Sequence, residues 1–127
     1  MYYFSKVLPI GFDEAVQRTV GALQCEGFGI VTEIDVKQTL KAKIGVDFRN
    51  YRILGACNPK LAHEALQLED KIGTMLPCNV VVQEIDGNRT EVAAIDPVAS
   101  MQAIDNAALK QAAERVQTLL RKVIHAL

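Results

Sequence analysis

Cysteine is the residue type in this chain most able to do chemistry, and two of its three cysteines sit in matched surroundings. Cys57-Asn58 runs into Pro59, and Cys78-Asn79 follows Pro77. Asn58-Pro59 reads as a helix start, because asparagine caps free backbone amides and proline's fixed φ suits the first helical position. Cys57 then precedes a helix N-terminus, where amide dipoles favour a thiolate. The competing reading is a small hydrophobe closing a buried strand, the usual state of unpaired cysteine. Cys78 opens a later strand with no helix dipole beside it, so on its own it reads as core. Cys25 lies off the apolar stripe of its helix and receives no role.

Whether Cys57 and Cys78 meet depends on where the helix after Pro59 ends. A helix filling residues 59–73 is about 22 Å long and carries the chain to the far end of the sheet. If it stops near Glu69, residues 70–77 span up to roughly 26 Å and can bring the chain back. A disulfide would further need α-carbons within about 7 Å. For a metal, Cys57, His63, Glu64 and Cys78 are the nearby ligand types, and a Cys57, His63 and Cys78 site matches no familiar zinc spacing. A solvated His63-Glu64 pair is the plainer account. Glu33, Asp35 and Glu84 likewise read as surface charge. The sequence holds no glycine-rich phosphate loop, nucleophile elbow or serine beside a base, so it names no cofactor and favours a non-enzymatic role.

The elements that must position these residues follow from periodicity. Residues 2–8 read as a strand, closed by Pro9 and Gly11. Phe12, Ala15, Val16, Thr19, Val20 and Leu23 recur at helical spacing, with Asp13 and Glu14 at the positive end of the dipole and Gly27 as the stop. Residues 28–36 alternate, placing Phe28, Ile30, Thr32, Ile34 and Val36 on one side and Gly29, Val31, Glu33 and Asp35 on the other. A polar helical connector over 37–46 leads to a strand over 51–57, with Tyr51, Ile53, Gly55 and Cys57 facing away from Arg52, Leu54 and Ala56. Residues 79–85 and 89–95 form a hairpin about Asp86-Gly87-Asn88. After Asp96-Pro97 interrupts the sheet, a final helix over 106–125 turns Leu109, Ala112, Ala113, Val116, Leu119, Leu120 and Val123 inward.

That order predicts a two-layer α+β domain, a five-stranded, mainly antiparallel sheet with helices on one face. With 127 residues, half of them hydrophobic, the chain fits a single domain over 1–127. A net charge of −1 offers no field for nucleic acid or an anionic membrane. No apolar run approaches the roughly 18 residues of a membrane span, and no leader is visible, so the expected address is the cytoplasm. An odd number of cysteines points to reduced thiols rather than a disulfide framework. The uncovered sheet face, only half polar, is expected to meet a second copy of the chain or, as the sharper alternative, a small apolar ligand.

Gly27-Phe28, Glu33-Ile34-Asp35, the segment from Ile53 to Pro59, and Leu76-Pro77 ahead of an apolar strand occur together in order. In these the chain resembles the domain-of-unknown-function family 302. The resemblance implies a curved antiparallel sheet of TATA-binding-protein-like architecture, a prokaryotic origin and dimers, and it implies no activity. Many members carry Gly-Asn-Pro and Leu-Pro-Leu where this chain has Ala56-Cys57-Asn58-Pro59 and Leu76-Pro77-Cys78, so thiol chemistry is not implied for the family. Two functions remain: a dimeric binding or interaction module, and a thiol-dependent redox or metal-handling protein using Cys57 and Cys78.

Overall fold

The computed structural model describes residues 1–127. The chain runs through β1 (Tyr3–Leu8), α1 (Phe12–Cys25), β2 (Gly29–Asp35), α2 (Val36–Ile44), β3 (Tyr51–Cys57) and α3 (Pro59–Leu68). A 3-10 turn (Ile72–Met75) precedes β4 (Cys78–Asp86), β5 (Arg89–Ile95), α4 (Pro97–Ser100) and α5 (Ala107–Ala126). The strands form one sheet in the order β1-β5-β4-β3-β2, and every neighbouring pair is antiparallel. α1 packs over β2, β4 and β5, while α5 lies over β1 and β5 and touches both α1 and α3. The architecture is the two-layer α+β arrangement that the element order predicts.

α1 ends as its sequence requires. Gly27 has φ +84°, a conformation that costs residues with a Cβ about 1–2 kcal/mol. Phe28 N–H donates to the Leu23 carbonyl at 2.9 Å and Gly27 N–H to that of Gln24 at 3.1 Å. This pair of bonds is a Schellman motif, and it delivers Phe28 and Leu23 into the same core.

Two predicted details change. β2 does not alternate throughout, because a bulge between Ile30 and Thr32 shifts its register against β3. Ile30 opposes the buried Ala56, whereas Thr32 opposes Gly55 and Ile34 opposes Ile53 on the other face. Thr32 and Ile34 therefore do not share a face with Phe28 and Ile30, since one inserted residue inverts every later side chain. The second change follows β5, where the chain makes the short helix α4 instead of merely leaving the sheet. Asp96 caps it, accepting from Val98 N–H at 3.0 Å and from Gln117 Nε2 at 3.0 Å, which ties α4 to α5.

Two apolar clusters result. The larger joins the inner sheet face to α1 and the C-terminal half of α5 through residues such as Phe28, Leu54, Val80, Val92 and Leu120. The smaller holds Ala65, Ile72, Met101, Leu109 and Ala113, away from the sheet centre. The outer sheet face carries a continuous cross-strand row, Ser5, Ala93, Val81, Ile53 and Ile34, beside a second row of Val7, Glu91, Gln83 and Tyr51. That face is half apolar and has no helix over it.

Candidate functional site

α3 stops at Leu68, and Glu69 closes it with an extended backbone. Of the two predicted endings the early one holds, so the extension to Gly73 does not occur. Residues 70–77 turn the chain back, the 3-10 turn burying Ile72, and Pro77 enters β4 through a cis peptide bond. Ala56 and Cys78 then face each other across β3 and β4. Cys57, one residue beyond Ala56, is brought beside Cys78.

Both cysteines line one apolar cavity of about 320 Å³, open to solvent on one side, between α3, α5 and the end of the sheet. Its helical walls follow from spacing: Leu61, Ala62, Ala65 and Leu66 make one face of α3, and Leu109, Ala112, Ala113 and Val116 one face of α5. The space exists because the smaller cluster does not close onto the larger. Ala56, Ala62, Ala65, Ala112 and Ala113 stand where longer side chains would fill the gap. Fifteen of the eighteen lining residues are hydrophobic.

The two thiols are not equivalent. Cys57 is partly exposed, while Cys78 is 8% exposed. Burial, and secondarily the neighbouring Cys57, push the Cys78 thiol up to about 11, so it stays protonated across the neutral range. Asn58 caps α3 through Oδ1, which accepts from Leu61 N–H at 3.2 Å, and its carbonyl accepts from Ala62 N–H at 2.9 Å. Pro59 has no N–H to give. Lys60 is left as the first-turn residue whose amide has no intrahelical acceptor, so most of the helix end expected to face Cys57 is already engaged.

His63 is not part of this arrangement. It is exposed, and its Nε2 lies 3.3 Å from Gln67 Nε2 one turn on, while Glu64 pairs with Arg115 of α5. No three His, Cys, Asp or Glu side chains gather in a manner that could hold a metal ion. Of the three weak metal candidates, the fold unites Cys57 and Cys78 and leaves His63 outside. Glu33 and Asp35 both pair with Arg52, consistent with surface charge.

Sequence reasoning missed the cavity itself. Leu109, Ala112, Ala113 and Val116 carry an ordinary core-facing pattern, and the one available signal was the substitution of alanine for larger residues on two helices. Pro97 and Met101, which close another side, lie in the α4 region whose helix was not predicted.

Comparison with known families places this architecture. The model of the family described as Domain of unknown function DUF302 matches residues 4–127. The chain belongs to the DUF302 family. Among solved structures, this DUF302 chain is similar to the crystal structure of an uncharacterized conserved DUF302 protein from Bacillus stearothermophilus. The two share 28% identity with a TM-score of 0.90, over 98% of this chain and 97% of the other. Comparison with curated proteins gives no match. No helix of this DUF302 chain is long and apolar enough to cross a membrane.

Proposed function

We propose that this protein is a non-enzymatic, cytoplasmic binding module that takes an apolar small molecule in the cavity between α3 and α5 and pairs with a second copy through its half-apolar outer sheet face. The observation that carries the reading is the cavity: about 320 Å³ of space between two separate apolar clusters, lined almost wholly by hydrocarbon. That volume falls in the range of ligand sites, about 300–1,000 Å³. A site with so few polar groups offers water too few partners to settle, whereas an apolar ligand recovers the missing contacts. The sheet-face pairing rests on the frequency of twofold dimers and on the partly exposed row from Ser5 to Ile34.

Native mass spectrometry of freshly purified protein reads both parts: a dimer mass, and a retained ligand lost on denaturation. The cavity is then probed with tetralin, an uncharged bicyclic hydrocarbon, by equilibrium dialysis. Tetralin binds the native chain and fails to bind Ala113→Phe, in which the ring occupies the cavity. Equal binding to both proteins, or none to either, overturns the cavity reading.

A second reading is favoured by one observation, the convergence of Cys57 and Cys78 on the same cavity. As a thiol-dependent redox or metal-handling site it requires both cysteines. Replacing both with alanine leaves tetralin binding in place under the first reading, and abolishes function under the second.

A further inference from the structure

The cavity between α3 and α5 has a closed end and an open one. At the closed end stand Met101, Leu109, Ala112 and Ala113, none more than 6% exposed. The open end is marked by Val31 of β2 and Leu66 of α3, which are 59% and 43% exposed, whereas the remaining lining residues are buried or half-buried. Val31 owes its place there to the bulge in β2. Ile30 pairs with Ala56 and Thr32 with Gly55, so Val31 has no partner on β3. In an unbroken ladder Val31 would oppose Gly55 and point to the outer sheet face, away from the helices. A bulge re-aims a side chain at a sheet edge, and here it leaves Val31 among the cavity residues.

Nothing inside this space receives a charge. No lining residue is Lys, Arg, His, Asp or Glu, and burial keeps the Cys78 thiol protonated at neutral pH. A charged group drawn to the closed end therefore loses its water and gains no partner. At the open end the same group keeps its water. Hydrocarbon is favoured right up to that point, because a ligand ending inside leaves Val31 and Leu66 in water while one passing between them covers both. The space, at about 30 Å³ for each small group, corresponds to no more than roughly ten carbons.

We propose that the ligand is a single-chain amphiphile whose tail, up to roughly ten carbons long, fills the cavity while its polar head stays in water at a mouth formed by Val31 and Leu66. This rests on the reading that the cavity holds a ligand, and tetralin, which has no head, separates the two. Octan-1-ol, octanoate and octyltrimethylammonium are compared by isothermal titration calorimetry at pH 7, each below the concentration at which it self-associates. The three bind within about tenfold of one another, because no head is desolvated. From hexanoate upward, affinity rises roughly fourfold for each methylene and levels off near about ten carbons. Val31→Lys strengthens octanoate and weakens octyltrimethylammonium by roughly two- to fivefold, and Val31→Glu does the reverse. Tetralin binding is the same in both variants. Ala113→Phe, whose ring fills the cavity, binds none of these ligands.

The proposal is overturned if either charged ligand binds more than about tenfold more weakly than octanol, or if affinity climbs undiminished to tetradecanoate. It is equally overturned if the two Val31 variants fail to shift octanoate and octyltrimethylammonium in opposite directions, or if Ala113→Phe still binds them. In each of those cases tetralin binding to the native chain leaves the cavity reading standing. Failure of tetralin and of all three octyl compounds on the native chain overturns the cavity reading as well.

Discussion

A methyl group placed on Gly55 would meet closer neighbours than one placed on any other glycine of the chain. The new carbon stands 2.0 Å from Thr32 Oγ1, 2.7 Å from Pro77 Cγ and 3.3 Å from Thr32 Cβ. Thr32 is exposed on the edge strand β2 and relieves its contact by turning, at about 0.5–1.5 kcal/mol for a strained rotamer. Pro77 cannot turn, because its ring is fixed between Leu76 and the buried Cys78. Its displacement is an overpacking cost of about 1–3 kcal/mol. Gly55→Ala is therefore expected to lose about 2–4 kcal/mol, roughly 10 °C in Tm for a domain of this size. Urea unfolding followed by circular dichroism measures the loss, and Thr32→Ala made alone and together with Gly55→Ala separates the two contacts. The double variant recovers no more than about 1.5 kcal/mol, the share assigned to the threonine. A Gly55→Ala protein within about 0.5 kcal/mol of the native one, or a double variant restored completely, refutes the claim that Pro77 is held against β3.

Other outcomes follow from the same geometry. Gly27→Ala loses about 1–2 kcal/mol in urea, because alanine must adopt the φ of +84° that glycine takes freely. A loss below about 0.5 kcal/mol contradicts the Schellman ending of α1. Folding raises the Cys78 thiol from 9.0 to about 11. Above pH 9 the unfolded chain sheds this proton while the folded chain keeps it, so stability is present at neutral pH and declines between pH 9 and about 11. The contribution is about 2–3 kcal/mol, read as a decline between pH 8 and 10.5 in urea midpoint that Cys78→Ala lacks. Iodoacetamide at neutral pH adds two carbamidomethyl groups to the folded chain, at the exposed Cys25 and the partly exposed Cys57, and three in urea. Rapid native labelling of Cys78, read by peptide mass mapping, contradicts its burial.

Most of the architecture was legible because its signals are local. The alternation in β3, the Asp86-Gly87-Asn88 turn, the stripe of α5 and the Asn58 cap each express backbone geometry within a few residues. The bulge in β2 was not legible in that way. Nothing between Ile30 and Thr32 marks it except the demand that both Phe28 and Ile30 pack inward while Thr32 lies over Gly55, and that demand comes from β3. α4 repeats the Asn58-Pro59 signature as Asp96-Pro97, so its start was in plain view and its brevity concealed it. For the candidate site, residues 57, 58 and 78 were singled out by type and spacing, with their meeting left to the length of α3. The cavity depends on alanines in α3 and α5 facing one another, and no single segment contains that relation.

The two outer strands of the sheet have very different histories along the chain. β2 meets its neighbour β3 across α2, and β3, β4 and β5 follow in succession, so a growing chain can assemble that meander in the order it is made. β1 has no such opportunity: Tyr3 must wait for Ile95, and Leu8 for Thr90. Until then β1 presents an unmatched edge, and the last strand of the sheet decides when the first can dock. α5, made later still, anchors that union from the other side, with its closing carbonyls at His125 and Leu127 receiving the ammonium of Lys6. β1 thus completes its pairing only after β5, more than 80 residues later in the chain, is in place.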